Sequence, residues 1–438
     1  MKKTYFILLS LVFTLNPLLI IQGQVSEERN FYFGTCEDKI SEPGTFINSP
    51  VIYGKEEGYG FDFQSSNQLR FEENAITTES PFYFSLHLPE GNYTIEVDLG
   101  SDKSSSETTI KAESRRLMRR HIPVQKGNTK TATFTVNLRG IKISPKKSIN
   151  LKSREKDDLN WDQKLTLEFS GTVAVRAIRI KPAETYTSIF LAGDSTVTDQ
   201  DVEPWASWGQ MITQFFSSEI VVANYAASGE SLGSFKGRNR LKKIMHNMQK
   251  GDYLFIEFGH NDSKIKGEGN GAYGLYTQLL KEYVTAARQK GGIPVLLTPT
   301  QRRHFSEDGR LSPTHGDFPD AMRKVANELS VPLIDLTLIT TKMYEAWGKE
   351  TSKNALVHYP ANTFPGQEKA LADNTHFNVF GANEIALAII EEIRNSELEL
   401  KKHIREETPR YKPNKPNNFS DWNVPRSPRF ESTKPEGN

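Results

Sequence analysis

Ser188-Ile-Phe-Leu-Ala-Gly-Asp194-Ser195-Thr196 is a short apolar run that stops abruptly in Gly-Asp-Ser-Thr. The run reads as a buried strand. A strand with this ending delivers a serine to the carboxyl edge of a sheet, where α/β proteins hold their ligands. The same rhythm continues downstream. Ile220 to Tyr225, Tyr253 to Phe258, Ile293 to Thr298 and Val331 to Leu336 are further short apolar runs, with amphipathic stretches such as Tyr276 to Ala287 between them. Alternating strand and helix patterns predict a parallel sheet with helices on both faces.

Upstream, residues 28–182 keep a different period. Ser80-Pro-Phe-Tyr-Phe-Ser-Leu-His-Leu88 and Tyr93-Thr-Ile-Glu-Val-Asp-Leu99 alternate apolar and polar positions. Pro89-Glu-Gly-Asn92 between them has the chemistry of a hairpin loop. Thr131 to Leu138, Leu165 to Phe169 and Val173 to Ile180 continue the alternation without a helical interruption. An all-β sandwich is expected here.

Residues 1–24 open with two lysines and then a run of apolar residues, the pattern of a signal peptide. Export to the periplasm or the exterior is therefore expected. The rival reading is an uncleaved anchor, for which the apolar core is short of the about 20 residues that span a bilayer. Nothing after residue 24 is apolar enough to cross, so no membrane partner is expected once the leader is removed. Residues 401–438 are basic and proline-rich and read as a tail, although Trp422 and Phe430 give it the means to strap onto a surface. In 438 residues the net charge is only +1, which argues against a dedicated nucleic-acid binder. The one cysteine, Cys36, can form no internal disulfide.

Three later segments complement Ser195. They are Asn224-Tyr-Ala-Ala-Ser228-Gly229, Gly259-His260-Asn261-Asp262 and Asp373-Asn-Thr-His376. Together with Gly193-Asp194-Ser195 they resemble, in order, the first, second, third and fifth blocks of the SGNH (GDSL-like) hydrolases. The variants Gly-Asp-Ser-Thr, Gly-His-Asn-Asp and Asp-Asn-Thr-His-Phe are similar to the rhamnogalacturonan acetylesterase branch. The resemblance covers about residues 186–395 and implies a three-layer α/β/α domain, bounded here at 186–400. The β part resembles the galactose-binding-like jelly rolls that precede some esterases, either as a glycan binder or as a wall of the cleft.

A serine hydroxyl needs a base to become a nucleophile, and histidine titrates near neutrality. Ser195, His376 and Asp373 are thus the expected triad. The resemblance implies oxyanion donors at the Ser195 and Gly229 backbone N–H groups and the Asn261 side chain. His260 is expected to hydrogen-bond a neighbouring loop instead of acting as base. Asp373 and His376 are expected on a short loop before a helix at Ala382–Arg394. Gly229-Glu-Ser231-Leu-Gly233 also fits the nucleophile elbow, which makes Ser231 the rival serine. No histidine and carboxylate cluster has zinc-site spacing, so neither metal nor other cofactor is expected. Basic residues near the predicted edge are Lys236, Arg238, Arg240, Arg302, Arg303 and His304. Arg238, Arg302 and Arg303 are the candidates to meet an acidic, acetylated polysaccharide. The expected function is removal of O-acetyl groups from pectin. An esterase for other acyl groups and a non-catalytic glycan binder are the alternatives.

Overall fold

The structure is a computed structural model that describes residues 28–37 and 42–436. The expected leader, residues 1–24, lies outside the described residues. Among those that are described, no helix is long and apolar enough to cross a membrane.

The amino-terminal part is built from β-strands, and one of them organises the rest. The strand Lys164–Pro182 pairs with Phe82–His87 and Ser106–Ala112 through its first half. Its second half pairs with Arg29–Phe33, Ile76–Thr78 and Gly91–Leu99. It therefore passes from one sheet to the other. Phe31, Phe61, Phe84, Ile95, Val97, Phe134, Phe169 and Ile178 fill the space between the sheets. The strands on either side of the turn at residues 89–90 form as Phe82–His87 and Gly91–Leu99, but they do not pair as the expected hairpin: the first joins the first half of Lys164–Pro182 and the second joins its second half, because that long strand offers each a partner in a different sheet.

The second part is a parallel sheet in the order Ile220–Asn224, Thr187–Gly193, Tyr253–Glu257, Ile293–Leu297, Leu333–Ile334. Strand side chains alternate between faces, so each strand feeds two cores. Ile189, Leu191, Val222, Phe255 and Leu297 join the helix Val379–Asn395 on one side. Phe190, Ala192, Ala223, Leu254, Ile256 and Leu296 join Thr277–Gln289 and Phe318–Glu328 on the other. This is the three-layer arrangement expected from the sequence. The last strand is only two residues long, shorter than its apolar run. Asp335 ends it by turning to cap the next helix, where its side chain accepts the Leu338 N–H.

Buried arginines join the two parts. Arg115 pairs with Glu203 at 2.6 Å, and Asp199 pairs with Arg116 at 3.2 Å and Arg139 at 2.9 Å. All three arginines come from the β part, and both acids follow Ser195 in the chain. From residue 401 the chain straps back over the second part. Arg405 donates its N–H to the Phe215 carbonyl, the Tyr411 hydroxyl binds Glu384 at 3.0 Å, and Trp422 lies against Phe380.

Candidate active site

Ser195 follows a strand flanked by the second and third strands of the sheet, the point where strand order reverses. Such a switch point opens a crevice at the carboxyl edge. Ser195 Oγ lies 2.9 Å from His376 Nε2, and His376 Nδ1 lies 2.8 Å from Asp373 Oδ2. With its Nδ1–H given to the carboxylate, the imidazole presents Nε2 as acceptor for the serine O–H. A hydroxyl, an imidazole and a carboxylate joined in this order can activate an oxygen nucleophile. Trp205 meets the imidazole edge-on at 5.8 Å.

Asp373 and His376 do not sit on a simple loop. They belong to the strand Leu371–Phe377, which pairs antiparallel with Leu356–Tyr359 through an irregular register. Residues three apart on a regular strand face opposite ways. Here Asp373 Oδ1 accepts the N–H groups of Thr375 and His376, at 2.7 and 2.9 Å, and so curls the backbone. That Asx turn brings both side chains to the serine. Burial works to raise the Asp373 carboxyl. The hydrogen bond and charge of His376, with the two backbone N–H groups, outweigh it and hold the carboxyl well below the usual carboxylate range.

Beneath the serine, Glu257 accepts from Trp208 Nε1 at 2.5 Å and from Thr196 Oγ1 and the Thr300 N–H at 3.1 Å. Burial, reinforced by nearby Asp194, pushes Glu257 up to about 8. Asp194 accepts the Thr196 N–H and hydroxyl and is likewise raised by burial. The turn carrying Ser195 is thus anchored from below by buried carboxyl groups.

The second and third blocks meet beside it. Asn224 Nδ2 donates to the Val197 carbonyl and to Asp199 Oδ1, both at 2.7 Å, locking the second block to the loop after Ser195. Asn261 Nδ2 donates to the Glu230 carbonyl at 3.0 Å, so the asparagine and Gly229 are neighbours. Gly229 has φ +78°, a conformation that favours glycine. His260 contacts Thr300 Oγ1 and His315 Nε2, each at 3.3 Å, on adjoining loops as expected. Ser231 caps the helix Leu232–Gly237, its hydroxyl accepting the Ser234 N–H at 3.2 Å.

The basic residues do not form one charged edge. Arg240 is fully buried, pairing with Glu155 at 2.5 Å and donating to the Tyr225 carbonyl. Arg303 is also buried. Its guanidinium donates to Ser352 Oγ, Asn374 Oδ1 and the Lys349 carbonyl. With these partners it braces the loop beside Asp373 and does not offer a free charge to the cleft. Arg302 is half-buried and donates to the His260 and Thr314 carbonyls. Lys236 pairs with Glu282 on the surface. Arg238 pairs with Glu230 Oε1 at 3.1 Å while keeping 38% of its side chain exposed.

What covers the site is the tail that Trp422 and Phe430 marked as able to strap onto a surface. Ser195 and His376 are only 4% and 1% exposed. The carboxyl-terminal segment crosses their mouth. Glu203 exchanges backbone hydrogen bonds with Arg429 and Glu431, and Phe430 stacks on Phe364 at 4.7 Å. Beyond it, Lys434 Nζ reaches Asp373 Oδ2 at 3.2 Å, and Glu436 Oε2 reaches Lys152 Nζ at 2.8 Å. Lys152, Trp205 and Lys434 carry no motif signal, because their partners are remote in the chain.

Residues 191–382 match the model of the GDSL-like lipase/acylhydrolase family. The rhamnogalacturonan acetylesterase RhgT of Bacillus subtilis is 44% identical over 218 residues, which cover 49% of this chain and 93% of that one. A probable rhamnogalacturonan acetylesterase of the same organism, YesY, is 36% identical over 225 residues, covering 50% and 98% respectively. The crystal structure of the Bacillus subtilis protein YxiM aligns with 84% of this chain and 98% of its own, at 21% identity and a TM-score of 0.45. With the identity to RhgT extending over nearly the whole of that protein, the chain belongs to the GDSL-like lipase/acylhydrolase family and is a carboxylic ester hydrolase.

Proposed function

We propose that this protein is an exported acetylesterase that deacetylates rhamnogalacturonan, with Ser195, His376 and Asp373 as its catalytic triad. One observation carries the reading: the continuous Ser195–His376–Asp373 hydrogen-bond chain, in a protein 44% identical to a rhamnogalacturonan acetylesterase. Export is read from the leader pattern of residues 1–24. The working parts are a β-sandwich at 28–182, a hydrolase unit at 186–400 and a basic, proline-rich tail at 401–438.

Ser195 Oγ attacks the acetyl carbonyl carbon while His376 Nε2 takes its proton. The carbonyl π electrons move to oxygen. The resulting oxyanion is held by the Ser195 and Gly229 N–H groups and the Asn261 amide, preorganised donors that need no rearrangement in the transition state. Collapse expels the sugar alkoxide, which takes the proton from His376. Water, deprotonated by His376, then attacks the acetyl-Ser195 ester and releases acetate. Asp373 holds the imidazole in the productive tautomer and stabilises its cation.

The test is acetate release from acetylated rhamnogalacturonan, acetylated xylan and a small aryl acetate. Preference for rhamnogalacturonan, lost on Ser195→Ala, is expected. Equal rates on xylan would make the enzyme a general glycan acetylesterase, and activity on long-chain esters alone would remove the glycan reading.

A further inference from the structure

Beside the reaction centre lies a cation that no sequence motif announces. Lys152 lies within the β part, just before the turn Ser153–Glu155, which Arg240 holds against the hydrolase part through Glu155. Its ammonium donates to the Ser228 carbonyl and stands 3.4 Å from Glu230 Oε1. The same Glu230 oxygen takes Arg238. A Cβ built on Gly229 would come within 3.0 Å of Lys152 Nζ, so this charge borders the glycine expected to stabilise the oxyanion.

At this point Lys152 takes its outer anion from the strap. A cavity of about 530 Å³ opens here, and three of the acids that line it are already matched by arginines. Glu155 is held by Arg240, Asp199 by Arg116 and Arg139, and Asp201 by Arg429. Asp158 is pushed up to about 7 by burial and by Asp201 and Glu155. Lys152 and Arg238 together face the single buried charge of Glu230. The surplus positive charge is met by Glu436 of the chain's own strap, whose Oε2 lies 2.8 Å from Lys152 Nζ. The hypothetical Gly229 Cβ would lie 3.0 Å from Glu436 Cβ, and Pro435 beside it is buried. The strap thus lays a carboxylate on the substrate side of the oxyanion glycine.

We infer that Lys152 is a specificity-determining residue that binds a uronate carboxylate of the substrate, and that Glu436 is its internal occupant, displaced when substrate enters. The inference rests on the substrate reading above, because acetylated rhamnogalacturonan carries a galacturonate carboxylate at alternate sugars. It assigns that carboxylate to Lys152, with Arg238 adding field, in place of Arg302 and Arg303.

Full-length Lys152→Met, Lys152→Arg and Glu436→Gln chains test it on acetylated rhamnogalacturonan and on an uncharged aryl acetate. Lys152→Met should lower the ratio of kcat/KM on polymer to that on ester by about tenfold, chiefly through KM, the order of one charge-assisted hydrogen bond. Lys152→Arg should recover most of the ratio. Glu436→Gln should raise kcat/KM on the polymer by up to about fivefold, since a half-exposed ion pair holds the strap only weakly. Equal loss on both substrates would make Lys152 an anchor of its loop and overturn the inference. An unchanged ratio, or Glu436→Gln kinetics identical to the parent, would overturn it as well. Galacturonate inhibition of aryl acetate hydrolysis gives a second readout: competitive in the parent, tighter in Glu436→Gln and weaker in Lys152→Met. If the parent releases no acetate from rhamnogalacturonan, the substrate reading fails by itself. The carboxylate site then stands on inhibition that depends on Lys152, and falls if inhibition is absent or independent of it.

Discussion

The two walls of the active site are made in different ways. One wall is the carboxyl edge of the parallel sheet. Ser195, Gly229 and Asn261 each follow a strand within a few residues, and Asp373 and His376 are three apart. The other wall is assembled from the β part and the carboxyl-terminal strap. Arg115, Arg139, Lys152, Arg429, Lys434 and Glu436 all act across long stretches of chain. The first wall holds the proposed triad, joined by short hydrogen bonds. The second wall decides what reaches them, through ion pairs whose strength depends on burial. Its deep pairs, such as Arg115–Glu203, lock the loop behind the nucleophile, while its outer pair, Lys152–Glu436, is half in water.

If that division holds, disruption of the sheet wall should cost turnover, and disruption of the other wall should cost stability or selectivity. The largest expected effect is Ser195→Ala, with loss of kcat on the order of 10⁶ and an unchanged melting curve. Ser231→Ala, one helix later, should leave turnover intact and cost about 1 kcal/mol as a lost helix cap, seen in denaturant unfolding. A swap of those two outcomes would move the nucleophile to Ser231.

Asp373→Asn should lower kcat by about 10⁴ while keeping the fold, since the amide favours the wrong imidazole tautomer. Asn261→Ala should follow at about 10²–10³ in kcat, the usual cost of one oxyanion donor. A loss confined to KM would return Asn261 to a purely structural role, through its bond to the Glu230 carbonyl.

Across the divide, Arg115→Met should leave Glu203 buried and unpaired. The expected cost is about 3–5 kcal/mol of stability, with kcat on a small ester nearly retained in the folded fraction. Collapse of kcat at undiminished stability would instead place the β part within the catalytic apparatus.

The mildest test is pH. Glu257 in the catalytic part and Glu113 in the β part are each pushed up to about 8, in both cases chiefly by burial. An unfolded glutamate titrates near about 4.3, so the native state binds more protons between the two values. The contribution of each group is therefore complete below about pH 4.3 and is lost as pH rises through about 8. Glu257→Gln should flatten the fall of melting temperature across that window. A slope unchanged by the substitution would mean that Glu257 is already ionised in the native state.

Much of the catalytic wall was legible because its causes are local. A strand ends where its apolar run ends, and the residues just beyond must lie at the sheet edge. That logic located Ser195 and Asn261 and marked Gly229 as a close approach. It also separated the two parts of the chain, since a period of two and a strand–helix rhythm bury different faces. Where it failed, the deciding interaction was not local. Asp373 and His376 came off a loop and onto a ribbon because a partner strand, Leu356–Tyr359, was available to pair with them. Arg303 and Arg240 read as surface charge. Both are buried, because acceptors from distant segments, Ser352 and Glu155 among them, surround them. The strap showed only as a basic, proline-rich composition, with two aromatic residues as its hint. Its course over Asp373 and Gly229 follows from Phe364 and Glu203, which offer a ring and backbone hydrogen-bonding groups to Phe430 and its neighbours. Sequence by itself determined which groups lie at the sheet edge, because strand periodicity and turn chemistry act over a few residues. Only the tertiary structure decided which charges face the substrate and which are paired away. A side chain's charge is written in the sequence, but its counter-ion is set by the segments that folding brings beside it.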